Sequence, residues 1–203
     1  MRSRLLSFGL SIALIVSIPS LVFAYSSGVY GSGSYGSCEY GSVCSVTLIS
    51  NGNVSLNVTP TPSGSCTIQS DTASVETDDT NGYTLTLADN GTNTSLVNGA
   101  KSISAGSGTF ASPATLSNNN WGYRVDGLGS FGSGPTSSQS NVSSTSNLFA
   151  AIEASNAAAD TIATSSGAAD PAVSTTVWYG VCADTSVTSG SYATQVTYTA
   201  VAN

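Results

Sequence analysis

The chain contains no histidine. That one absence removes the serine–histidine–aspartate and cysteine–histidine nucleophile systems, histidine-ligated zinc and copper, and imidazole acid–base catalysis. Charge is scarce as well: 7% of residues are Asp, Glu, Lys or Arg, against about 25% in an ordinary globular chain. The only cations are Arg2, Arg4, Lys101 and Arg124, against eleven acids, for a formal net charge of −7. Nucleic acid and anionic lipid surfaces need clustered Lys or Arg, so neither is an expected partner. A C-x-x-C redox motif is missing, and no apolar run of membrane-spanning length follows the first two dozen residues. The sequence also shows no LPxTG signal and no basic stop-transfer tail. A transmembrane segment is therefore not expected in the mature chain.

What is present is β-rich and suited to export. Hydrophobic residues make up 40% of the 203 residues, and Ser, Thr, Asn and Gly supply most of the remainder. Outward strand faces then carry Thr and Ser where a cytosolic protein would carry Lys and Glu. A disordered chain would show fewer β-branched and aromatic residues and no sustained alternation. The acidity reads as solubility and mutual repulsion outside the cell, with specific cation binding as the sharper alternative.

Residues 1–24 have the layout of a secretory signal peptide. Arg2 and Arg4 form a basic start, Leu5 to Ile18 an apolar run, and Pro19 a break; Val22-Phe23-Ala24 places small residues for cleavage before Tyr25. An uncleaved anchor is the competing reading. Residues 25–43 carry Tyr30-Gly31, Tyr35-Gly36 and Tyr40-Gly41 at intervals of five among Ser and Gly. Gly and Ser resist ordering, which suggests a flexible stalk, either a spacer or a sticky one.

From residue 44 onwards short alternating runs take over, predicting strands at Val43–Ser50, Val54–Thr59, Cys66–Gln69, Ala73–Thr77, Tyr83–Ala88, Lys101–Ser104 and Trp121–Val125. Two further runs fall within Thr175–Asn203 and read as a β-hairpin or two neighbouring strands. In the first of them Val177, Tyr179 and Val181 face one way and Trp178, Gly180 and Cys182 the other, so both faces carry groups worth burying. Asn51-Gly52, Asn81-Gly82, Asn90-Gly91 and Asn98-Gly99 mark turns. The stretch 126–174 is glycine-rich, then Ser/Thr/Asn-rich, then Ala-rich without an apolar stripe. It reads as a long surface excursion holding at most one helical turn, or as the sign of a missed element. The expected fold is all-β: an immunoglobulin-like β-sandwich over 44–203 with a disordered N-terminal stalk after a signal peptide.

Four cysteines in an exported chain imply disulfides, and the economical pairing is Cys38 with Cys44 and Cys66 with Cys182. Their spacing fits no zinc pattern. Glu76 and Asp78 share a strand face and Asp79 points away beside the Asn81-Gly82 turn. That grouping reads as a solvated strand end, as a Ca²⁺ site completed by turn carbonyls, or as a glycosidase carboxylate pair. Calcium is the one cofactor so suggested; none other is expected. Trp121, Tyr123 and Trp178 could stack a sugar, but they sit in strand patterns that favour core packing. Lys101, the sole lysine, lies in no apolar setting that would suit an internal isopeptide bond. The Val43–Ser50 and Val54–Thr59 runs lack edge-protecting lysines, so self-association by head-to-tail strand addition is an expected route to assembly.

The strings SCTIQSDTASVETDDTNGYTLTL, NNNWGYRVDG and TTVWYGVCADTSVTSGSYATQVTYTAVAN together resemble uncharacterised exported β-sandwich proteins of candidate phyla radiation bacteria, Saccharibacteria in particular. A looser similarity is to WxL-type and camelysin-like surface proteins, although Trp121 is followed by Gly122-Tyr123 and the WxL signature is missing. The resemblance implies a cell-surface location and a sandwich, and it brings no catalytic residues. The expected function is a non-enzymatic, secreted cell-surface protein with a structural or attachment role. Its partners would be envelope components or other surface proteins. The alternative is a calcium-dependent carbohydrate-binding module.

Overall fold

The computed structural model describes residues Leu10–Leu14 and 44–203; the expected stalk and most of the expected leader lie outside them. The N-terminal strands are β1 (Leu10–Leu14), β2 (Val46–Ser50), β3 (Val54–Val58), β4 (Ser65–Thr77) and β5 (Tyr83–Asp89). Next come β6 (Leu96–Asn98), β7 (Lys101–Ala105), β8 (Ala114–Thr115), β9 (Asn120–Val125) and β10 (Gln139–Val142). The chain ends with β11 (Leu148–Phe149), β12 (Asp160–Thr164), β13 (Ala169–Ala183) and β14 (Val196–Ala202), and no helix occurs among the described residues. The all-β expectation holds.

The larger sheet runs β10-β4-β13-β9-β7-β6. Its spine is the β4–β13 ladder, which pairs antiparallel from Ser65↔Ala183 to Ala169↔Thr77. Along its opposite edge β4 takes two shorter strands end to end, β10 beside Cys66 and Ile68 and β2 beside Ala73 to Thr77. All of these pairings are antiparallel; β7 alone meets β9 in parallel. The smaller sheet is β12-β5-β14. Period-two patterning drives its packing: in β5, Tyr83, Leu85 and Leu87 are buried while Thr84 and Thr86 are half-exposed. With Ile162, Val196 and Tyr198 they meet Val75, Tyr123, Val177, Tyr179 and Val181 of the larger sheet in one continuous core. The two sheets thus form a sandwich.

Three expectations need correction. The two C-terminal runs do not form a hairpin: β13 lies in the middle of the larger sheet and β14 at the edge of the smaller one. The twelve residues between them, anchored by buried Tyr192, carry the chain across the core. The runs at Cys66–Gln69 and Ala73–Thr77 are one thirteen-residue strand, because exposed Ser70 and buried Asp71 preserve the alternation that their polarity hides. The 126–174 excursion contains β10, β11, β12 and the start of β13, and no helical turn. At Pro171 the β4–β13 register skips from Ala169↔Thr77 to Val173↔Val75, around a residue that has no N–H to donate.

Candidate functional site

Cys66 and Cys182 are directly opposed on β4 and β13 and form the expected disulfide, with their Cα atoms 4.0 Å apart. The bridge joins neighbours within one sheet, unlike the bridge between sheets in antibody domains. Cys44 is disulfide-bonded too; the Cys38 end of that expected pair lies outside the described residues. Cys66 and Cys182 sit on the back of the larger sheet, away from the smaller one. There Ile68, Phe149 and Trp178, with Leu116, make a second apolar cluster.

Gly122 and Gly180 are register partners on that back face, and they let β11 come close. A Cβ on Gly180 would lie 2.7 Å from the Phe149 ring, and one on Gly122 would lie 2.6 Å from the Ala150 carbonyl oxygen. The approach is fixed by two backbone bonds, Tyr123 N–H to Ala150 O (3.0 Å) and Ala150 N–H to Tyr123 O (2.8 Å). Arg124 holds the adjoining loops. It is 1% exposed and donates to Gly132 O (2.9 Å), Asn147 Oδ1 and Leu148 O, and it pairs with Asp126 at 3.1 Å. Burial lowers its pKa, and the nearby Asp126 acts against that shift. Arg124 is therefore a structural tie across the glycine-rich loop.

Two tyrosine–carboxylate pairs occupy the core. The Tyr179 and Tyr198 hydroxyls hydrogen-bond across the two sheets at 2.8 Å, and Tyr198 faces buried Asp71. Asp71 Oδ1 accepts from the Asn51 and Thr72 amides, while Oδ2 makes no hydrogen bond of good geometry. Burial raises the Asp71 pKa, and the amide and Tyr198 contacts oppose that shift. The Tyr123 hydroxyl donates to Asp160 Oδ2 at 2.6 Å; burial first, and then this carboxylate, push the phenol well above its ordinary range. Tyr179 and Tyr198 are raised chiefly by burial. These phenols are locked in their neutral form and face no cleft, so they act as polar struts of the core.

The expected calcium residues are placed apart in role. Glu76 and Asp78 are exposed; Asp78 Oδ1 accepts from the Ser45 amide at 2.7 Å. Asp79 is buried and its Oδ1 accepts from the Asn81 amide, closing the turn into β5. Among the described residues no group of three His, Cys, Asp or Glu side chains is assembled as metal ligands. The aromatics considered as sugar platforms are interior: Trp121 and Tyr123 are fully buried, Trp121 donates to Thr94 O at 2.9 Å, and Trp178 is 7% exposed. Lys101 is exposed.

A groove of about 510 Å³ lies open between the two sheets, lined by Val125–Leu128, Ile162–Thr164 and Ser174–Thr176. Apolar Val125, Leu128, Ile162 and Ala163 line it together with Asp126, Thr164, Ser174, Thr175 and Thr176. β13 pairs with β9 only from Val177 on, and β12 is an edge strand, so strand edges border both sides. Nothing in the sequence marked this groove, because hydroxyl residues on strand ends look like any wet face. One acid alone is a poor general acid–base system, which needs a donor and an acceptor. No family model matches the chain, and neither a curated protein nor a solved structure matches it.

Proposed function

We propose that this is an exported, non-enzymatic cell-surface protein whose sandwich serves envelope structure or attachment. The Cys66–Cys182 bridge carries the reading, because it is built into the longest ladder of the fold and disulfides persist in oxidising compartments. The basic-apolar-small layout of residues 1–24 agrees with that destination. So does the resemblance of residues 60–203 to exported sandwich proteins of Saccharibacteria-like bacteria, which we carry forward as part of the proposal. The buried Tyr–Asp pairs and the turn-bound acids support a scaffold: their polar atoms are committed to holding strands and turns. Cell fractionation with N-terminal sequencing tests the reading. The protein is expected outside the cytosol starting at Tyr25, and recovery from the cytosol with Met1 intact would refute it.

A carbohydrate-binding module is the second reading, favoured by the groove between β12 and β13, whose lining includes Asp126 and four Ser and Thr residues. A glycan array with and without EDTA separates the two. Binding abolished by EDTA would bring calcium back, and binding unaffected by EDTA would be recognition without a calcium site at Glu76, Asp78 and Asp79.

A further inference from the structure

Among the described residues β3 pairs with no strand except β1. The pairing is antiparallel, from Leu10↔Val58 through Ile12↔Leu56 to Leu14↔Val54. On its other side β3 is held by side chains: Thr67 Oγ1 donates to Asn57 O at 2.8 Å, and the Thr59 N–H donates to Asn141 Oδ1. Backbone polar groups alternate along a strand, so residues 57 and 59 aim theirs towards β4 and β10. Residues 54, 56 and 58 aim theirs at β1. The strand that answers them lies inside the segment read as an export leader. Removing the leader leaves that row of N–H and C=O groups without a ladder, on a strand with no charged residue to protect it.

The sequence of the present occupant shows what can replace it. β1 reads Leu-Ser-Ile-Ala-Leu and β3 reads Val-Ser-Leu-Asn-Val, both apolar at positions one, three and five and small or polar between. A second β3 laid antiparallel on the first repeats the β1 pairing, with Leu56 opposite Leu56 and Ser55 opposite Asn57. We propose that β3 is a strand-acceptor edge, filled by the chain's own leader before processing and by β3 of a second copy afterwards. The contact is two-fold symmetric and closes on itself, giving a dimer in place of the head-to-tail filament that bare edge strands suggest. The protein's acidity does not oppose it locally, since residues 51–59 carry no charge. The inference rests on the export reading only where leader removal vacates the edge.

Position-specific cross-linking tests it. Ser55 and Asn57 are exposed, and in this register they form a close, non-hydrogen-bonded pair suited to a disulfide. Ser55→Cys and Asn57→Cys chains are made separately, each as residues 1–203 and as residues 25–203, with the Cys66–Cys182 bridge mapped in every sample as the check on folding. Mixing the two shorter chains should yield a covalent dimer joined between positions 55 and 57, at least tenfold more than either variant alone. The longer chains, whose β3 is occupied, should yield little. Light scattering of the unsubstituted shorter chain should give the dimer mass, and Asn57→Lys should return it to monomer. No cross-link in the folded shorter chains, or equal linking by a single variant, overturns the proposal. N-terminal sequencing of the exported protein tests processing separately: retention of residues 1–24 would sink leader removal, and with it the dimer in the exported protein, without altering the cross-linking result.

Discussion

The two faces of β13 bury their side chains by different means. Towards the smaller sheet, Val177, Tyr179 and Val181 meet a partner layer whose alternation is as regular as their own. Towards the back, Trp178, Gly180 and Cys182 are covered by a two-residue strand, β11, and by Leu116, with a disulfide beside them. The front uses large residues and an inter-sheet tyrosine bridge. The back uses missing side chains, so that one phenylalanine ring can lie against the strands. The front should therefore degrade gradually when trimmed, whereas the back depends on a few contacts that have no substitute.

Phe149→Ala is expected to be the largest single effect, about 3–5 kcal/mol, because the ring is the lid over the glycine pair. Denaturant unfolding monitored by tryptophan fluorescence measures it, and a loss below 1 kcal/mol would mean that the back cluster is not a unit. Cys182→Ser follows at roughly 2–5 kcal/mol, through lost loop closure over a separation of 116 residues, with peptide mapping to confirm the broken link. The glycine pair comes next. Gly122→Ala meets a backbone oxygen and should cost about 1–3 kcal/mol. Gly180→Ala meets only side chains, chiefly the Phe149 ring and then Leu116, so a double-mutant cycle with Phe149→Leu should recover part of its loss, whereas Gly122→Ala, set against a backbone oxygen, should not be rescued.

On the front, Tyr198→Phe removes one hydroxyl from the cross-sheet bridge and should cost about 1 kcal/mol. The smallest effect concerns pH. Asp71, Asp89 and Asp160 are all raised above 3.8, chiefly by burial, so the folded state holds protons that the unfolded state has released. Their contribution is fully present below 3.8 and is lost as pH rises through the raised values. The melting temperature should accordingly increase on acidifying from neutral towards pH 4. Asp71→Asn should flatten that slope, and an unchanged slope would show that Asp71 is not among its sources.

The front was legible in the sequence, and of the back only the disulfide was. Val54, Leu56 and Val58, and Tyr83, Leu85 and Leu87, announce buried faces by strict alternation, and the Cys66–Cys182 pairing followed from strand position. Phe149 follows Leu148 and precedes Ala150 and Ala151, a short apolar run with no periodicity to show that its ring caps a distant glycine pair. Asp71 hid the continuity of β4, since a buried carboxylate held by two amides looks in sequence like the end of a strand. The inter-sheet groove depends on where β9 stops relative to β13, which is a matter of register and not of composition.

The cross-strand bridge also sets how this protein answers to force. A pull between the two ends of the chain reaches residues 44–65 and 183–203, but it cannot unravel what lies between Cys66 and Cys182 while the bond holds. The separation of 116 residues corresponds to roughly 400 Å of extended chain kept out of reach. Both main sheets have most of their strands inside that closed loop. A tethered copy would yield at its ends and stay folded in the middle, a short elastic element with a covalent stop that only a reductant could release.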